Sequence, residues 1–412
     1  MIDTLIFAVE APFTDRDYER FGIKRLIARG FRVQVWDLSD VLHADIIELV
    51  EVPDRKQWEG CTRFSARDEL GRAIAGLPRT AMVLCLVRYA WGTTFFYRAL
   101  SARSIPYAVM VVNILPPPAS ATVETWAGRL GALFRRIGNS PVKAGILHVL
   151  NRVLLAAFPL IGVSPARLCI LGGSRCAEAI GYPVRRSTRY VWTHALDFDL
   201  YLSIRDRAVP EERSLGVFLD EYLPFHPDLL FAGNPAPCPA DEYYPQLRQF
   251  FDYLETRFGV RVAVAAHPKS QYGSHQDYFG GRPVIQGSTP EFVQRAGFVI
   301  LHASTSLNFA ILFRKPVIFI TNHRIDSNIG ICRIGAILST MASILGKTPI
   351  TLDEPYSFDW NRELAVDGRA YARYRDWYIK KEGTEERNTW EIVADAILSE
   401  GKREDQVSRS LE

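Results

Sequence analysis

Three short polar motifs stand where apolar runs end. Leu215-Gly-Val-Phe-Leu219 is followed by Asp220 and Glu221, and Val262-Ala-Val-Ala-Ala266 by His267-Pro268-Lys269. Val299-Ile-Leu301 is followed by His302-Ala-Ser304-Thr305-Ser306. Carboxylates take up protons, whereas His, Lys and hydroxyl groups bind or offset negative charge. The apolar runs have the length of buried strands, and in an open parallel sheet ligands bind beyond the carboxyl ends of the strands. The helical pattern Leu307–Phe313 comes next, so three hydroxyl residues fall at a strand-to-helix turn. Free N–H groups and the helix dipole favour a phosphate at such a turn. Together the motifs read as a nucleotide or nucleotide-sugar site without a glycine loop.

Such motifs need a sheet to hold them, and the rest of the chain supplies the pattern. Thr4–Val9 reads as a strand, Asp15–Arg29 as a helix ended by Gly30, and Arg32–Asp37 as a second strand. Further strands are expected at Ile46–Val52, Ala81–Val87, Tyr107–Val112 and Arg167–Leu171, with a helix at Thr93–Arg103. After Pro116-Pro-Pro118, helical segments are expected near Val123–Ile137 and Val142–Phe158, and a short helix at Cys176–Ile180. A second series starts at Ser214, with a helix at Tyr243–Phe258, a short helix at Pro290–Ala296 and a strand at Pro316–Ile320. A last helix is expected at Thr389–Glu400, followed by a charged tail that should fray. Repeated β-α-β alternation implies α/β architecture with parallel sheets. The expected division is 1–205, 206–400 and a tail at 401–412, two Rossmann-like β/α/β domains facing across a cleft.

Composition narrows the function classes. The 412 residues suffice for two full cores, and 48% hydrophobic content marks a globular chain. A formal net charge of +3 argues against a dedicated nucleic-acid binder. Six cysteines are scattered without a CxxC pair, which suits buried thiols in a reducing cytoplasm rather than zinc or disulfides. No leader peptide is expected, and no uncharged run reaches the roughly 18 residues of a membrane span. The segment 129–152 carries Arg129, Arg135, Arg136, Lys143 and Arg152 among apolar residues, a pattern able to rest peripherally on anionic lipid.

Over about Ser214–Ile320, the order acidic pair, His-Pro, Ser/Thr motif resembles GT-B glycosyltransferases of bacterial surface-polysaccharide biosynthesis. The likeness is to the sialyltransferase and Kdo-transferase type with an HP motif. Thr193-His-Ala-Leu-Asp197-Phe-Asp199 also resembles a segment found before the second domain of surface-carbohydrate enzymes. The resemblance implies that the acidic motif supplies a general base. It implies too that His267 contacts the donor phosphate and that Ser304, Thr305 and Ser306 bind phosphate. Tyr222 stands where that family carries a glycine, which leaves open which of Asp220 and Glu221 is the base.

A sugar transferase must deprotonate an acceptor hydroxyl and stabilise a departing phosphate. Asp220 directly follows its strand and is the first candidate for the base; a turn-capping acid is the plain alternative. His267, Lys269 and the turn after Ser304 are candidates to offset leaving-group charge, against strand termination and N-capping. His302 is expected either on the donor or as a hydrogen-bonded core histidine, and Asn322 on the donor. Glu10, Gly172 and Gly173 are expected on the acceptor side. No DxD-like pair ends a strand, so neither a catalytic metal nor any other cofactor is expected. The expected reaction is inverting transfer of a sugar, with a CMP-activated nonulosonate or Kdo favoured, to a glycan or lipid-linked acceptor. A CDP-glycerol-type phosphotransferase, a nucleotide-sugar epimerase and a non-catalytic binding subunit are the alternatives.

Overall fold

A computed structural model describes residues 2–47, 55–118, 151–226, 236–274, 276–327 and 333–409. They fall into two units, one within Met1–Val112, Glu124–His194 and Gly383–Glu412, the other within Asn113–Val123 and Ala195–Glu382. The basic segment expected to meet lipid lies outside the described residues as far as 150, as do the helix expected at 123–137 and residues 48–52 of an expected strand.

Apolar runs too continuous for a half-exposed strand become the interior of two parallel sheets. The first unit holds seven strands: β1 (Thr4–Val9), β2 (Arg32–Asp37), β3 (Cys61–Arg63), β4 (Ala81–Leu86), β5 (Tyr107–Val111), β6 (Leu168–Leu171) and β7 (Arg189–Trp192). Their order is β3-β2-β1-β4-β5-β6-β7, all parallel. The second unit holds β8 (Glu212–Leu219), β9 (Arg261–Ala266), β10 (Val284–Gln286), β11 (Ala296–Leu301), β12 (Val317–Thr321) and β13 (Ile350–Thr351). These run β10-β9-β8-β11-β12-β13, again all parallel. In each sheet the strand order reverses beside the first strand, at β1/β4 and at β8/β11, where a crevice opens at the carboxyl edge.

Alternation along β8 shows how the second core is built. Val217 and Leu219 join an apolar layer with Val299, Leu301 and the helix Leu307–Leu312. Phe218 points to the opposite face and meets Phe250, Phe251 and Leu254 of the helix Ala240–Phe258. Among the described residues, both faces of this part of the sheet are therefore covered, and polar groups gather at the strand ends.

Several elements differ from expectation. The helix expected at 15–29 is two helices, Asp15–Arg20 and Ile23–Ala28, broken at Gly22. Gly22 has φ +55, and a Cβ there would lie 2.4 Å from the ring of Trp390. Ile46 and Ile47 belong to the helix Ser39–Ile47 rather than to a strand. The helix Leu196–Ile204, upstream of the expected join at 205/206, packs within the second unit on the helices Leu307–Leu312 and Thr289–Arg295. The last helix runs Thr389–Arg409, through much of the segment expected to fray, and packs in the first unit against β7 and the helix Ile23–Ala28. Among the described residues, no helix is long and apolar enough to cross a membrane.

Candidate active site

Where β8 ends at Leu219, the chain leaves the sheet as Asp220 and Glu221, both buried at 4% and 7% exposure. Asp220 Oδ1 accepts a hydrogen bond from the Tyr222 amide (2.9 Å). Its Oδ2 accepts from the His267 amide (3.2 Å) and the Tyr272 hydroxyl (2.9 Å). Burial pushes the carboxyl up to about 6, against the pull of these hydrogen bonds toward the charged form. Glu221 accepts from the backbone amides of His302 (3.1 Å) and Ala303. Burial, and then the neighbouring charge of Asp220, push its carboxyl up to about 8. Burial raises both carboxyls, and the charge of Asp220 raises Glu221 further, so the two titrate as a coupled pair.

Tyr222 has φ +53. Glycine adopts that left-handed backbone freely, whereas other residues pay about 1–2 kcal/mol. Tyr222 is held there by burial against Tyr272 and Phe225, with ring centroids at 5.2 and 5.3 Å.

At the end of β9, His267 is half-buried and its Nδ1 accepts from the Lys269 amide (3.2 Å); Lys269 itself is exposed. The His267 ring lies 4.6 Å from that of His226. Gln286 Nε2 donates to the carbonyls of His267, Pro268 and Ser270 at 3.2, 2.8 and 3.1 Å, fixing the loop. At the end of β11, Ser304 Oγ accepts from the Ser306 amide (3.2 Å), and Thr305 and Ser306 are half-buried. Part of this hydroxyl cluster thus closes the turn, as a cap would.

Two expected donor contacts are engaged elsewhere. His302 has no exposed surface; its Nδ1 meets the Ile320 carbonyl (2.7 Å) and its Nε2 the Tyr243 hydroxyl (2.9 Å). It is a core histidine, and burial pushes its imidazole down to about 4. Asn322 is equally buried, with Nδ2 on Gln246 (2.8 Å) and Oδ1 accepting from the Ile325 amide (2.8 Å), which caps a short helix. Both side chains are fully buried and hydrogen-bonded within the carboxyl edge.

The remaining candidates belong to the first unit. Glu10 follows β1, on one side of that sheet's switch point, and meets Arg88, which follows β4 on the other (2.8 Å). It also bonds His43 Nε2 (3.0 Å). Burial would raise this carboxyl, but the hydrogen bonds from His43 and Arg88 hold it down to about 2. Gly172 and Gly173 follow β6, three strand steps from β1, or about 14 Å along the edge. Tyr272, Tyr243, His226, His43 and Arg88 also contact the candidate residues and lie outside the motifs legible in the sequence. Only Arg88 carried a usable signal, as a cation directly after a buried strand.

Two results are expected from this geometry. Tyr272→Phe removes the one side-chain hydrogen bond given to Asp220 among those described, so its carboxyl should titrate about one unit higher. Carbon-detected NMR titration of the Asp carboxyls checks this. Glu221 gives a stability effect of definite sign. Folded Glu221 keeps its proton up to about 8, whereas an ordinary glutamate loses it near 4.5. Its contribution is fully present below the lower value and is lost as pH rises through the higher one, with a slope of at most about 1.4 kcal/mol per pH unit. Urea midpoints should therefore fall between pH 6 and 8.5, and less steeply in Glu221→Gln.

No protein-family model matches the sequence, and no curated protein does. Among solved structures, the chain is similar to the wall teichoic acid polymerase TagF. For a variant of that protein soaked with CDPG the TM-score is 0.53 at 10% identity, covering 98% of this chain and 90% of that one. A second TagF variant gives 0.52 at the same identity and coverage. The S. aureus MnaA–UDP co-structure gives 0.46 at 12% identity, covering 95% and 94%. At such identities the TagF likeness concerns the fold. The chain has the GT-B fold class, with two Rossmann-like β/α/β domains.

Proposed function

We propose that this protein is a metal-independent, inverting glycosyltransferase in which Asp220 is the general base. The observation that carries the reading is the juxtaposition at the switch point of the second sheet. Asp220 and Glu221 end β8, and Ser304–Ser306 follow the adjacent β11. Asp220 accepts the proton of an acceptor hydroxyl, while the hydroxyls of Thr305 and Ser306, with His267 and Lys269, meet the charge on the departing phosphate. The inverting course follows from the family resemblance. So does the favoured donor, a CMP-activated nonulosonate or Kdo, which rests on the order of the motifs. A glycan or lipid-linked acceptor at the inner face of the membrane suits the basic run between Arg129 and Arg152.

The His226 ring, tilted against that of His267 at 4.6 Å, favours a second reading, a CDP-glycerol-type phosphotransferase, because a second histidine next to the first can serve phosphoryl chemistry. Thermal melting against CMP, CDP, UDP, GDP and TDP tests the donor. A nucleotide at a hundred times its Kd stabilises the native state by about 2.7 kcal/mol. The expected result is a rise in Tm with a cytidine nucleotide, lost in His267→Ala. Preference for UDP, GDP or TDP would remove the donor assignment, and no rise with any nucleotide would remove the transferase reading. Turnover abolished in His226→Ala would favour the phosphotransferase.

A further inference from the structure

Among the described residues, the three most exposed large apolar side chains are Leu160 (89%), Trp91 (62%) and Val153 (58%). All three lie in the first unit, and the fold gathers them at one place. Trp91 follows β4 at the carboxyl edge, and its amide donates to Asn151 Oδ1 (3.0 Å). Residues 151–156 are helical and run into the 3-10 turn Phe158–Ile161, which carries Leu160. From Asn151 to Leu160 such a run extends about 15 Å.

This run is apolar on two sides. The stretch Val153–Ile161 contains no polar side chain. Leu154 and Phe158 are buried and anchor it to the core of the unit. Val153, Ala156, Pro159 and Leu160 are exposed on the other side. A helical run that is apolar all round belongs inside a protein or at a membrane. An exposed tryptophan beside it suits the lipid–water interface, where its ring meets the apolar layer and its N–H stays wet.

Charge selects the partner. Arg152 adjoins Val153, and the guanidinium of Arg185 lies over the Phe158 ring at 4.9 Å, with Arg186 next in the chain. All three are exposed, and none forms an ion pair among the described residues. Unpaired cations around an apolar strip attract a surface that is both apolar and anionic. A second copy of the chain fits worse, because a two-fold contact would bring the same cations face to face.

We propose that this strip, Trp91, Val153 and Leu160 with Arg152, Arg185 and Arg186, is a docking surface for an anionic lipid bilayer. The apolar side chains enter the boundary between headgroups and acyl chains, and the guanidiniums pair with lipid phosphates. Arg88 and its partner Glu10 stand at the same sheet edge as Trp91, so docking brings that edge to the lipid surface.

The test uses the full chain and needs neither nucleotide nor acceptor, so its failure leaves the transferase reading standing. The protein is sedimented with vesicles of phosphatidylglycerol and phosphatidylcholine, and with phosphatidylcholine alone. It should bind the mixed vesicles about tenfold or more tightly than the neutral ones, and the preference should shrink as salt screens the charges. Leu160→Glu changes a side chain already in solvent, so the fold is kept, and it should lower partitioning by about tenfold or more. Arg152→Gln and Arg186→Gln should each lower it about fivefold. Brominated lipid should quench the fluorescence of the wild type, and quench Trp91→Phe less. Absence of binding to the mixed vesicles overturns the proposal, as does equal binding to the neutral ones. Partitioning unchanged by Leu160→Glu, or quenching unchanged by Trp91→Phe, overturns it too and moves the anchor elsewhere in the chain. Self-association that Leu160→Glu abolishes, without vesicle binding, gives the strip to a second copy instead.

Discussion

Asp220→Asn should lower turnover by about 10²–10⁴-fold, the range for a positioned general base, with the nucleotide-induced rise in Tm retained. Asp220 follows β8 directly, beside β11 and the hydroxyl residues after it. Below about 6 the wild type should lose activity as Asp220 takes up its proton. That acid limb should vanish in the asparagine variant. Glu221→Gln is the discriminating control. Glu221 holds its own proton up to about 8, so its replacement should leave the acid limb in place and cost far less activity. Release of nucleotide from the selected donor, measured between pH 5 and 9, reads both. If Glu221→Gln proves the more damaging of the two, the roles are reversed. Asp220→Asn also turns an amide N–H toward the N–H of His267, so some loss of stability, about 1–3 kcal/mol, accompanies it. Nucleotide-saturated melting separates that loss from the loss of turnover.

The second large effect is structural. Gly297→Ala should destabilise the protein by about 3 kcal/mol or more, because overpacking against fixed backbone has no soft way to relax. A Cβ at Gly297 would lie 2.1 Å from the carbonyl oxygen of Arg213 and 2.6 Å from its carbonyl carbon. The pairing of β11 with β8 shifts register at this point, between Ala296 and Phe298. The added methyl therefore forces apart the two strands whose ends carry Asp220 and Ser304. Gly71→Ala is the contrasting control. Gly71 sits inside the helix Arg67–Ala75 with nothing within 4 Å of an added Cβ, so alanine there should stabilise by about 0.5–1 kcal/mol. Urea unfolding of the two variants checks the sign as well as the size.

The strands that carry the candidate site were readable because parallel strands covered on both faces are apolar throughout. β8, β9, β11 and β12 advertise themselves in this way, and the polar residues after them mark the edge where a ligand sits. β3 and β10 have no such signature. Each is three residues long, sits at the end of its sheet and is largely exposed, so the patterning that marks a strand never arises. The break in the expected 15–29 helix was invisible for a different reason: Trp390, nearly 370 residues away, occupies the space beside Gly22. The acids at 220 and 221 could be found from their position, but not their division of labour. That depends on Tyr272, the His267 amide and the amides of His302 and Ala303, which reach them only through the fold. His302 shows the same limit. A histidine after a buried strand suggests a ligand contact, and only the approach of Tyr243 and the Ile320 carbonyl makes it part of the core.

Trp390 has a further consequence, for the order in which a new chain can mature. Its ring is 1% exposed and sits against Phe7 and Phe21, at 5.0 and 6.4 Å, while its Nε1 donates to the Arg20 carbonyl (2.7 Å). The packing around Phe7 and Phe21 is therefore completed by a residue far later in the chain. During synthesis, at about 5–20 residues per second, the nascent first sheet must wait on the order of tens of seconds for this plug to leave the ribosome. The second sheet has all its strands before then. A vectorial birth thus favours maturation of the later-made half first, with the earlier-made half exposing Phe7 and Phe21 to chaperones in the interval.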